Sequence, residues 1–185
     1  MSNGLERRPQ RGDDASSNGL FAGNALTFEQ ADGSLYFLRV SPPKVVEKIL
    51  ELAELRPEET LYDLGAGDGR IVIWAAREYG VMAIGIESHP DLVEYARGKI
   101  RDLRLENRCQ VLTGDLYEAN LQEADVIVFY LGTEDVNERI RTTFREKVEA
   151  GARIVTVNVA IPGLNPKKII GLSQATNDYV LYRYG

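Results

Sequence analysis

The stretch "YDLGAGDGR" at positions 62–70 places three glycines, Gly65, Gly67 and Gly69, at every second residue. One acid, Asp63, stands before them and another, Asp68, among them. Glycine reaches left-handed backbone without steric penalty and lets another group approach the main chain closely. Upstream, "ETLYDLG" reads as a short strand stopped by glycine; downstream, "RIVIWAAREYG" reads as a helix closed by Gly80. The glycines therefore fall in a strand-to-helix turn, where an open parallel sheet binds its ligands.

The same alternation continues outward from this turn. Before it, "SPPKVVEKILELAEL" predicts a helix with Ser41 as N-cap, prolines in its first turn and Val46, Ile49, Leu50 and Ala53 as its buried stripe. After it come a strand "VMAIGIE" and a helix "SHPDLVEYARGKIRDLRL", with Ser88 and Asp91 spaced as a capping box. The strands "CQVLTGD" and "ADVIVFYL", the helix "EDVNERIRTTFREKV" and the strand "ARIVTVNVA" follow. "KKIIGLS" and "DYVLYRY" then close the chain as two strands joined by a short connection. Continuous apolar runs at 83, 125 and 153 mark strands covered on both faces. The expected fold is α/β: a Rossmann-like seven-stranded sheet, mostly parallel, with a C-terminal antiparallel hairpin and helices on both faces. Residues 1–34, rich in Gly, Asn, Asp, Ser and Arg, predict a mobile tail before a body over 35–185.

A chain of 185 residues suits one domain of this kind. No apolar run approaches the roughly 18 residues that span a bilayer, and the opening residues lack the apolar core of a secretory signal. A cytoplasmic location is the expectation. The single cysteine, Cys109, cannot form an internal disulfide, and with one histidine, His89, it supplies too few ligands for a zinc site, so no metal is expected. A net charge of −6 argues against broad, charge-driven binding to nucleic-acid phosphates.

The acids choose between two nucleotide readings of the glycine loop. A dinucleotide fold uses G-x-G-x-x-G and seats a pyrophosphate on the helix N-terminus. Here the spacing is G-x-G-x-G, and Asp63 and Asp68 would repel a pyrophosphate. They suit a ligand carrying an ammonium and a sulfonium, and S-adenosylmethionine is such a ligand. Glu87, at the end of the next strand, can accept hydrogen bonds from ribose hydroxyls, a role shared with dinucleotide enzymes. Asp115 ends the third strand, within reach of an adenine amino group, and Leu116 can pack on the adenine ring. The expected cofactor contacts are Asp63, Gly65, Ala66, Gly67 and Asp68 from the loop, with Glu87, Ser88, Asp115 and Leu116 from the next two strand ends.

"DLGAGDG", "GIE" and "GD" stand in the order and spacing of the first three motifs of class I S-adenosylmethionine-dependent methyltransferases, and residues 41–160 resemble that family. The resemblance implies that Asp63, Gly65 and Gly67 line the amino-acid end of the cofactor, Glu87 the ribose, and Asp115 with Leu116 the adenine. "RVSPPKVVEKIL", "YDLGAGDGRIVI" and "FYLGTEDVNERI" further resemble the archaeal broad-specificity protein-lysine methyltransferases. That implies a protein substrate with accessible lysines. A small-molecule methyltransferase and a non-catalytic cofactor-binding protein stay open as alternatives. A nucleic-acid methyltransferase would show a basic face or an N/D-P-P-Y/F motif, and "FYLG" is neither. Tyr130, Thr133 and Asn137 follow the fourth strand, at the cofactor's methyl end, and are the candidates for lining an acceptor channel. Trp74 reads as core; for Asn158, Ile161 and Pro162, just after the fifth strand, a bland structural role is the favoured reading and a place at the border of the substrate cleft the lesser one.

Overall fold

Residues 25–29, 35–130, 137–174 and 177–185 are described by the structure, a computed structural model. The chain divides into two units, Met1–Pro43 and Lys44–Gly185.

In the first unit, β1 (Ala25–Glu29) pairs antiparallel with β2 (Leu35–Arg39), Thr27 opposite Phe37. This pair departs from the sequence expectation, which places 25–29 in the tail. Its signal is one short alternation, Leu26 and Phe28 against Thr27 and Glu29, lost in polar surroundings.

In the second unit, α1 (Pro43–Ala53) buries Val46, Ile49, Leu50 and Ala53, the expected stripe, and adds Val45 and Leu52. There follow β3 (Thr60–Leu64), α2 (Arg70–Trp74) running on into a π-helical turn Ala75–Tyr79, β4 (Met82–Glu87), α3 (Pro90–Asp102), β5 (Cys109–Thr113), a 3-10 turn Leu116–Glu118, β6 (Val126–Phe129), α4 (Glu138–Glu149), β7 (Arg153–Val157), β8 (Lys168–Ser173) and β9 (Asp178–Tyr184). Seven strands form one sheet in the order β5-β4-β3-β6-β7-β9-β8. The first five are parallel to one another, and β9 runs antiparallel to both β7 and β8.

The order explains the layers. From β3 the chain steps outward to β4 and β5, then returns to the other side of β3 for β6 and β7. Right-handed crossovers in opposite directions put α2 and α3 on one face and α4 on the other. On the α4 face Tyr62, Leu64, Ile84, Ile86, Ile127 and Phe129 meet Ile140 and Phe144 in one buried cluster. Phe129 and Phe144 stack edge to face, with centroids 5.4 Å apart. Every residue of β6 and of β7 is buried, as a strand covered on both faces requires.

Two helix starts differ from expectation. Ser88 and Asp91 do not form the capping box: His89 is the N-cap residue of α3 and its side chain caps nothing. Pro90 accounts for this, because its fixed φ suits the first helical position and sets the start there. The helix expected from Glu134 begins at Glu138, with Asn137 as N-cap accepting from the Ile140 amide at 2.9 Å. Trp74, expected in the core, is half-buried.

Candidate functional site

The strand order reverses between β3 and β6, and the cleft outside the carboxyl ends of these strands is where such sheets take ligands. The glycine loop forms its floor. Gly65, Gly67 and Gly69 all have left-handed backbone, with φ of 87°, 56° and 77°. The amides of Gly65 and Ala66 both donate to the Ile86 carbonyl, at 2.9 and 3.0 Å, and that of Gly69 to the Ala66 carbonyl. Side chains are excluded at two close approaches. A Cβ on Gly69 would lie 2.9 Å from the Ala96 Cβ, and one on Gly85 would lie 2.6 Å from the Ala66 Cβ. Gly85 stands opposite Asp63 in the β3–β4 ladder, so the sheet itself must be flat where the loop folds over it.

Three carboxylates surround this loop, and each is held differently. Asp63 is 2 % exposed, and among the described residues none donates a hydrogen bond to its side chain. Burial first, and then the charges of Glu87 and Asp68, push its pKa up to about 8. Asp68 is 1 % exposed, and its two oxygens take the Arg70 guanidinium in a fork, Nε to Oδ1 and Nη2 to Oδ2 both at 2.9 Å. The Arg70 amide also donates to Asp68, at 3.2 Å, and Lys99 stands 3.8 Å away. Asp68 is thus engaged by the protein's own cations, while Asp63 has no countercharge among the described residues.

Glu87 ties two loops together. One oxygen accepts from the Gly67 amide at 2.8 Å and the other from the His89 amide at 2.9 Å. Each carboxylate oxygen has a second acceptor site, so Glu87 can still take a diol. Ser88 beside it is exposed. Asp115 begins the 3-10 turn, accepting from the Tyr117 amide at 2.9 Å, and is otherwise exposed. Leu116 packs partly into the core cluster, and Leu112, on β5, is 41 % exposed.

Of the three acceptor-channel candidates, Thr133 lies outside the described residues. Tyr130 follows β6 and is half-buried. Since Leu64 pairs with Phe129, Tyr130 stands level with Gly65. Asn137 is engaged in capping α4. Sequence reasoning misses Arg70 and Lys99. Arg70 lies within the decisive stretch, but its role shows only when the fold brings Asp68 back onto it.

A second cleft, of about 450 Å³, includes Glu59, Asp125, Arg153 and Arg183 in its lining. It lies at the opposite edge of the sheet, and its charges answer one another: Arg153 pairs with Glu59, Arg183 with Glu54, and Asp125 accepts from the Thr60 amide.

A glycine loop at the switch point, a buried acid beside it and acids at the next two strand ends define a class I S-adenosylmethionine-dependent methyltransferase. Residues 63–168 match the family model described as the ANTKMT methyltransferase domain, and the chain belongs to that family. It is 32% identical to a protein-lysine N-methyltransferase of Saccharolobus islandicus, over 78% of this chain and 89% of that one. It is 30% identical to the mouse adenine nucleotide translocase lysine N-methyltransferase, over 68% of this chain but only about half, 54%, of the relative. Among solved structures it resembles one from Salinibacter ruber, described as an RNA methyltransferase in complex with S-adenosyl-L-homocysteine. The identity is 37% and the TM-score 0.69, covering 78% of this chain and 91% of that one.

The Gly85–Ala66 approach gives a direct test of loop geometry. Gly85 does not have left-handed backbone, so Gly85→Ala acts through sterics alone. The expected result is a loss of about 1–3 kcal/mol in thermal or urea unfolding. Affinity for S-adenosylhomocysteine falls by about tenfold in calorimetric titration, as the loop is pushed off the sheet.

Proposed function

We propose that this chain, with S-adenosylmethionine as methyl donor, methylates lysine side chains of proteins. The observation that carries this is the match to the archaeal protein-lysine N-methyltransferase across 89% of that enzyme's length. The proposed catalytic domain is residues 35–185, and the lone, buried Cys109 supports a reducing, cytoplasmic setting.

The residues present fit the donor. Asp63 supplies the buried carboxylate that an α-ammonium needs, and exclusion from water makes that pairing strong. The left-handed turns at Gly65 and Gly67 keep that end of the loop free of Cβ atoms. Glu87 has acceptor capacity for a ribose diol, and the Leu116 and Leu112 side chains offer an apolar seat for a base. Asp68 contributes through the loop: clamped by Arg70, it holds the turn in shape.

S-Adenosylmethionine, when bound, supplies a methyl already activated by its sulfonium. The protein's remaining task is to align and deprotonate the acceptor. A lysine with pKa near 10.4 requires about 4–5 kcal/mol to become neutral at pH 7. Desolvation in a narrow slot beside Tyr130, and the nearby positive charge, lower that cost. Thr133 is proposed to border the same slot, and Asn137 to fix the start of α4 behind it.

RNA methylation is the second reading, favoured by the description of the Salinibacter ruber protein. A net charge of −6 opposes it. Incubation with methyl-labelled donor, lysine-rich proteins and bulk RNA separates the two. Label recovered as methyllysine in protein hydrolysates is the expected result; label confined to RNA would overturn the proposal.

A further inference from the structure

Building on the lysine reading, we infer that Tyr179 extends the aromatic wall of the acceptor slot beside Tyr130, and that Asn158 is the residue that positions it.

The register carries the placement. Phe129 pairs with Thr156, so Tyr130 and Val157 stand level with Gly65 at the carboxyl edge of the parallel strands. Val157 pairs with Leu181 of β9, which runs the other way. Two residues back along β9, Tyr179 stands beyond that edge. Its ring meets that of Tyr130 with centroids 6.5 Å apart and planes at 66°. Aromatic pairs of this kind are rigid, with few rotamers to lose, and their faces favour a cationic or methylated amine. Tyr179 is 6 % exposed.

Asn158 shows that this position is imposed. It follows β7 directly and has φ of 60°, a left-handed conformation in a residue other than glycine. Its amide donates to the Val180 carbonyl at 2.7 Å, and its Oδ1 accepts from the Val180 amide at 2.8 Å. The side chain thus replaces the backbone rung that the β7–β9 ladder loses as the chain turns away. Both polar groups of Val180 are fixed by one residue, and Tyr179 is its neighbour. Strained backbone held by specific hydrogen bonds at a sheet edge marks a position under functional constraint. Asparagine is suited to this, because it tolerates left-handed backbone and carries its own acceptor.

Tyr179 is therefore a specificity-determining residue that touches the lysine stem and limits room around the amine; Asn158 is a positioning residue. In the full chain, Tyr179→Ala and Tyr179→Leu are expected to lower kcat/KM on a protein substrate by tenfold or more. The Kd for S-adenosylhomocysteine stays within twofold, and mass spectrometry of the product shows a shift toward more highly methylated lysine. Tyr179→Phe keeps the wall and stays near wild type in all three. Asn158→Gly, which keeps the backbone but loses the acceptor, reproduces the Tyr179→Ala product shift; Asn158→Asp, which keeps the acceptor, does not. Unchanged product distributions in Tyr179→Ala and Tyr179→Leu overturn the inference. So does cofactor affinity falling in step with activity, which would mark a structural role. A wild-type enzyme that methylates no protein removes the lysine reading and this inference together, whereas an active wild type with indifferent Tyr179 variants removes this inference alone.

Discussion

Asp63→Asn is expected to weaken S-adenosylmethionine binding about 100-fold or more, because on the proposed reading the ligand's ammonium pairs with this buried carboxylate. The same substitution should stabilise the ligand-free protein at pH 8 and above. The sign follows from the raised pKa. In the folded protein Asp63 holds its proton up to about pH 8, against an ordinary value of 3.8 when unfolded. The folded state thus binds more protons between these values, and the stability this group contributes is present below the lower value and lost as pH rises toward 8. Asparagine carries no such titration, so its melting temperature stays flat where that of the wild type declines. Binding shows the reverse side of the linkage. A cationic ligand needs Asp63 ionised, so between about pH 6 and 7.5 binding releases a proton, and affinity improves by up to about tenfold per pH unit. Calorimetry in two buffers of different ionisation enthalpy measures the released proton directly. A wild type that releases none would mean that Asp63 is already ionised before the ligand arrives, and the account of its environment would fail.

Much of this arrangement can be read from the chain, and the parts that cannot have two physical causes. Strand β4 and the turn at Gly80 follow from local signals: an apolar run of strand length, and a glycine with φ of 72° closing the helix. The switch point follows from the alternation of strands and helices, since connections of this kind are right-handed. Local signals fail where two of them compete. Ser88 with Asp91 comes close to a capping box, but Pro90 fixes the helix start one residue later. They fail again where the partner is distant in sequence. Asp68 looks like ligand-facing charge; its environment depends on Lys99, thirty-one positions on, and on the fold of Arg70 back across the turn. Asn158 and Tyr179 are twenty-one positions apart, and their relation exists only in the β7–β9 register.

Arg70→Met should be the most destabilising single change in the loop. Arg70 is 4 % exposed and Asp68 1 % exposed, so removing the guanidinium leaves a buried carboxylate whose remaining partners among the described residues are the residue-70 amide and Lys99, at 3.8 Å. Breaking one partner of a buried pair costs about 3–5 kcal/mol, or about 10 °C in melting temperature for a chain of this length. Asp68→Asn alone leaves the Arg70 charge buried and should cost a similar amount. The double variant Arg70→Met/Asp68→Asn removes both charges, and most of the stability should return, with a strong coupling energy in the double-mutant cycle. Cofactor affinity should not return with it. The fork from Arg70 joins the last residues of the glycine loop to the first turn of α2 and thereby fixes the curve in which Gly65, Ala66 and Gly67 present their backbone. A methionine and an asparagine can fill the space without imposing that geometry. Asp68 is also one of the charges that raise the pKa of Asp63, so its neutralisation should move the proton release on binding to lower pH. Stability and affinity recovering together in the double variant would show the ion pair to be only a folding element; stability recovering alone assigns it the shape of the cofactor loop.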